Sequence, residues 1–168
     1  MELMRRPYAT ERAYKLFGLL LGTLPPAAIF YMLFFDREIG RAEAFSALLV
    51  LCFLMNVICA FVGGALGARL GRCMDKLERR AWPVTIFASA LLGICWAAAT
   101  GAAGGFIYFG IGALFGAAFA IPVGAFGFAL FTMLHRLMAR GGMIDARHFW
   151  PLACGIASVI SAFILGLR

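Results

Sequence analysis

The chain has 168 residues, 64% of them apolar and only 14% charged, and its Lys and Arg outnumber Asp and Glu to leave a net charge of +7. A soluble domain is typically about 45–50% apolar and about 25% charged, so this chain lacks the polar side chains to cover a globule in water. That excludes a soluble enzyme, a disordered segment and, despite the basic balance, a nucleic-acid-binding domain; the sequence describes an integral membrane protein.

Charged residues divide the chain into apolar runs, which we read as all-α transmembrane helices in one integral membrane domain, 1–168. A helix needs about 20 apolar residues to cross the hydrocarbon core. No run alternates polar and apolar residues as barrel strands do. The first span is expected at 16–35, preceded by Arg5, Arg6, Arg12 and Lys15. Its 20-residue core exceeds the roughly 7–15 residues of a signal peptide, which makes it a retained anchor. At its centre Gly22-Thr23-Leu24-Pro25-Pro26 should break the helix, because each proline removes a backbone donor.

The second span, 44–68, carries Asn56 at its middle, a candidate for an interhelical hydrogen bond. The segment 69–81 reads as a basic cytoplasmic loop or as an interfacial helix continuing span two, its basic side toward anionic lipid headgroups. Between Arg80 and His135 lie 54 residues without charge, enough for two spans and a turn. The glycines of Thr100–Gly105 predict that turn, giving spans at 82–100 and 106–134. The fourth contains a second expected break, Ala120-Ile121-Pro122. The fifth span is 149–167.

Positively charged loops stay in the cytoplasm. With the N-terminus inside, the inner segments hold Arg5, Arg6, Arg12, Lys15, Arg69, Arg72, Lys76, Arg79, Arg80, Arg136, Arg140 and Arg147. The outer segments hold Arg37, Arg41 and Arg168, balanced by Asp36, Glu38 and Glu43. All the net charge therefore falls inside, and the C-terminus is expected outside. Trp82, Trp150, Tyr31, Phe34 and Phe35 fall where interfacial aromatic anchors belong.

Small residues recur every fourth position: Gly63, Gly67 and Gly71; Ser89, Gly93, Ala97, Gly101 and Gly105; Gly112, Gly116, Ala120 and Gly124; Ala153, Ala157 and Ser161. Such ridges let helix backbones approach closely in lipid, so these glycines are expected to pack helices together. Both proline segments follow a Gly-x3-Gly (Gly18/Gly22 and Gly112/Gly116), which hints at a distant internal repeat.

Chemistry is sparse. None of the expected spans contains Asp, Glu, Lys or Arg, the residues that mark proton and ion paths. His135 and His148 flank one inner loop and with Asp145 form the one candidate pair for haem or a metal; plain polar helix ends are the simpler reading, and no cofactor is expected. The five cysteines form no Cys-x-x-Cys pair. The sequence therefore predicts a small multi-pass inner-membrane protein without catalytic activity. It would be a structural or accessory subunit of a membrane complex, with a membrane-protein partner or a second copy on its glycine ridges. The alternative is a small transporter or channel with a site at Pro25, Pro26, Asn56 and Pro122.

Overall fold

A computed structural model describes residues 7–32, 42–77, 80–106, 110–139 and 141–166. Phe34 and Phe35, the outer charges expected at 36–41 and 168, and Arg5, Arg6, Arg79 and Arg140 lie outside them. Two three-residue strands, β1 (Pro7–Ala9) and β2 (Met143–Asp145), pair antiparallel with Tyr8 opposite Ile144. The helices are α1 (Thr10–Leu21), α2 (Leu24–Phe30), α3 (Ala42–Leu77), α4 (Trp82–Gly105), α5 (Ile111–Met138) and α6 (Ala146–Gly166). With α1 and α2 taken together, five helical segments are long and apolar enough to cross a membrane.

The elements differ from the sequence reading in three places. The first helix starts at Thr10 rather than at 16, so Glu11, Arg12 and Lys15 ride on its first turns. Of the two readings of segment 69–81, the helical one describes its first part: span two continues as helix to Leu77. At about 1.5 Å per residue the 36 residues of α3 extend some 54 Å, well beyond a 30 Å hydrocarbon core, and its surplus carries Arg69, Arg72, Asp75 and Lys76.

The glycines of Thr100–Gly105 remain helical, and the reversal falls after them, with Gly110 (φ 73°) leading into α5. Gly101 and Gly105 are packed against α5 and Gly104 against Cys59 of α3, and that packing outweighs their turn preference. Finally, α5 passes through Pro122 unbroken. The carbonyl that Pro122 cannot pair, four residues back at Ala118, belongs to an otherwise continuous helix, and Pro122 itself is exposed.

Two close helix pairs organise the bundle. In the first, α1 runs antiparallel to α3. A β-carbon on Gly18 or Gly67 would lie 2.5 Å from the carbonyl oxygen of Gly63 or Tyr14 respectively, and one on Gly71 would lie 2.8 Å from the Cα of Glu11. In the second, α4 packs antiparallel on α5 with Gly93 against Gly124, Gly101 against Gly116, and Gly105 against Gly112. Each of these three pairs is symmetric about the same point of the chain, so a single register runs the length of the hairpin. Contacts this close supply van der Waals attraction between the helices.

The core lies between the pairs. Phe17 of α1 stacks on Phe131 of α5 with ring centroids 4.1 Å apart, and Tyr14 meets Phe131 edge-on at 5.0 Å. Phe149, Ala153 and Ala157 of α6 and Ile144 of β2 are fully buried against this cluster. Thr10 ties the strands to α1: its N–H and its hydroxyl both donate to the Gly142 carbonyl, at 3.2 and 3.0 Å.

Among the described side chains, the charges gather at one end. Arg72 pairs with Glu11 at 3.4 Å. Arg136 donates to the Arg80 carbonyl at 2.7 Å and to the Thr85 hydroxyl at 3.0 Å, and lies over the Trp82 ring. Asp145 ends β2 opposite Pro7, and Arg147 lies in the first turn of α6 that follows.

Candidate functional site

The first helix does break at Gly22-Thr23. Thr23 closes α1 by donating its N–H and its hydroxyl to the Leu20 carbonyl, at 3.2 and 2.9 Å. Pro25 and Pro26 then sit in the first turn of α2, where a missing N–H forfeits no intrahelical bond of that helix. The cost falls on the Leu21 and Gly22 carbonyls, which a continuous helix would have paired with residues 25 and 26.

Beside this break is an apolar cavity of about 270 Å³. Pro26, Ile29 and Phe30 line it from α2, Met55 and Cys59 from α3, and Gly101, Gly104, Gly105, Gly112 and Gly116 from the α4–α5 hairpin. The glycines make room: without side chains, the hairpin that packs tightly on itself leaves a recess toward α2. The four residues expected to form one site separate here. Pro26 lines the cavity and Pro25 is buried. Asn56 and Pro122 are not among the lining residues, and Pro122 faces outward. Asn56 lies about one turn along α3 from Cys59, near the level of Pro25, and its Oδ1 is buried without a hydrogen-bond partner.

The packing glycines divide between the two helix pairs. Gly63, Gly67 and Gly71 face α1; Gly93, Gly101, Gly112, Gly116 and Gly124 face one another across α4 and α5. Trp96 adds a polar tie between the pairs, donating its indole N–H to the Gly63 carbonyl at 2.8 Å.

His135 and His148 do not meet in one site. His135 is buried, edge-on to Tyr14 at a centroid distance of 5.5 Å. His148 is exposed and lines a separate surface recess with Asp145 and Pro7. Among the described residues no three His, Cys, Asp or Glu side chains converge on a point. The cysteines are free thiols; the buried Cys59 points its sulfur at the Thr100 carbonyl, 3.7 Å away.

The most polar part of the interior was not singled out from the sequence. The Ser89 hydroxyl lies 2.8 Å from the Phe128 carbonyl, its Oγ 2.5 Å from that of Thr132, and Thr132 lies 2.7 Å from the Tyr14 hydroxyl. Proton counting fixes the direction. Ser89 has one proton and gives it to Phe128, so Thr132 must donate to Ser89 and Tyr14 to Thr132. The result is a one-way chain of hydroxyls linking α1, α5 and α4. One turn nearer the charged end, Thr85, His135 and Arg136 surround a second, smaller cavity. The sequence did contain a signal. Thr85 and Ser89, and Thr132 and Arg136, are each four residues apart, and the glycine register of the hairpin brings the two polar pairs to the same level.

The sequence matches no protein-family model, and searches of curated proteins and of solved structures return no match. The fold defines a class, a five-helix bundle compatible with a multi-pass membrane protein.

Proposed function

We propose that this chain is a non-catalytic accessory subunit of a membrane complex in a bacterial-type inner membrane, with its charged end and N-terminus in the cytoplasm and its C-terminus outside. One observation carries the reading: three interior hydroxyls and an indole are engaged from helix to helix. Tyr14, Thr132 and Ser89 bond one another, and Trp96 bonds Gly63. Polar groups used this way hold a bundle together. The outer surface is apolar and aromatic, with Phe61, Phe119 and Phe163 all exposed, and it would meet lipid or a partner helix. The basic residues of α3, Arg69, Arg72 and Lys76, would meet anionic headgroups at the inner face.

A photo-crosslinking residue placed in turn at Phe61, Phe119 and Phe163, in native membranes, tests this. The subunit reading expects a discrete protein adduct from at least one position, together with a larger complex after gentle solubilisation. Adducts with lipid alone, from a monodisperse single chain, would contradict it.

The cavity at Pro26 favours a second reading, a small transporter. Its lining limits the cargo to an apolar molecule, since no charged side chain faces it. Met55→Trp would fill the recess, and transport surviving that substitution would remove the case.

A further inference from the structure

We propose that the charged end of the bundle holds one water molecule on His135, in the small cavity between α1, α4 and α5. The imidazole is 4% exposed, and its Nε2 is buried with no hydrogen-bond partner. A buried polar atom left in that condition is costly and calls for a specific explanation. The ring lines a cavity of about 20 Å³ whose walls include Thr10, Thr85, Thr132 and Arg136. A single water needs roughly 10–15 Å³ and two to four polar partners.

The hydrogen-bond inventory of the walls selects the ligand. Thr10 gives its proton to Gly142, Thr132 gives its proton to Ser89, and Thr85 gives its proton to the carbonyl of Leu77 or Ala81, at 3.3 and 3.2 Å. Each hydroxyl oxygen keeps the capacity to accept one more bond. The site therefore calls for a group that donates to hydroxyl oxygens and also pairs with a ring nitrogen. Water does both, and because it donates and accepts it suits His135 in either tautomer. Ions fit less well. The Arg136 guanidinium repels a cation, and hydroxyls whose protons are already committed offer an anion nothing but lone pairs. The bound water joins α1 through Thr10 and α4 through Thr85 to α5 through His135, one turn beyond the Tyr14–Thr132–Ser89 chain.

The two histidines of the chain make a direct test. The full-length protein is labelled with ring-¹⁵N histidine, reconstituted in bilayers, and read by water-edited NMR, with the exposed His148 as internal reference. His148→Gln leaves the ring signals of one histidine and assigns them to His135. The water site predicts polarisation transfer from water to the His135 ring, and a loss of that transfer in Thr10→Val. A His135 ring that stays dark at mixing times that saturate His148 overturns the proposal, as does undiminished transfer in Thr10→Val. If Thr10→Val does not accumulate, the His148→Gln spectrum decides alone.

Discussion

At Gly101 a β-carbon would run into the carbonyl oxygen of Gly116, while at Gly155, on the exposed side of α6, it would meet nothing within 4 Å. The same substitution should therefore have opposite signs at the two positions. Gly101→Ala must push α4 off α5 and is expected to destabilise by about 1–3 kcal/mol, the usual cost of overpacking. Gly155→Ala gains helix propensity, about 0.5–1 kcal/mol. Thermal unfolding of both variants in one detergent reads the difference. The hydroxyl chain makes a comparable prediction. Thr132→Val removes the acceptor of Tyr14 and the donor to Ser89 while nearly preserving volume. A loss of about 1 kcal/mol is expected, measured against the wild type by reversible unfolding. A neutral result would mean that these hydroxyls do not tie the helices.

At the level of elements, the two proline segments have different fates. Pro25 and Pro26 open a helix that the preceding Gly22-Thr23 has already ended; Pro122 lies on the exposed side of a helix that runs straight through it. Pro122→Ala should restore a donor to the Ala118 carbonyl, leaving the melting temperature unchanged or higher. A marked loss of stability would show that the proline shapes α5. Much of the element pattern was legible: charge-free runs locate the apolar helices because charge is expensive in hydrocarbon. The start of the first helix was less so, since Glu11, Arg12 and Lys15 are helical where polarity placed them ahead of the span. The misplaced turn at Thr100–Gly105 had the larger consequence. A hairpin folded about those glycines has a different register, in which Gly93 does not meet Gly124 and Ser89 does not meet Thr132. Shifting the reversal past Phe106 aligns Gly93 with Gly124, Gly101 with Gly116 and Gly105 with Gly112, and brings both polar pairs together. The candidate site was correspondingly harder to read. Pro26 does line a cavity, but whether Asn56 and Pro122 share it depends on helix rotation, which spacing alone does not fix.

For the whole molecule, the electrostatic arrangement is the simplest feature. Among the described side chains, the charged residues, from Glu11 and Lys15 on α1 to Arg72 and Lys76 on α3 and Arg136 on α5, cluster at the end that carries the two strands. The other end exposes apolar groups such as Phe106, Ile111 and Leu114. In the proposed membrane setting that asymmetry would favour one orientation, because inner loops retain Lys and Arg. The excess of +7 that might suggest a nucleic-acid surface would there act as an orienting charge.

That proposed orientation is the claim on which the reading of the inner-face lipid contacts depends. Reporter fusions test it most directly. A reporter active only outside the inner membrane should be active when fused after Arg168 and inactive when fused after Lys76. Inactivity after Arg168 or activity after Lys76 would contradict a five-span bundle with its charged end in the cytoplasm.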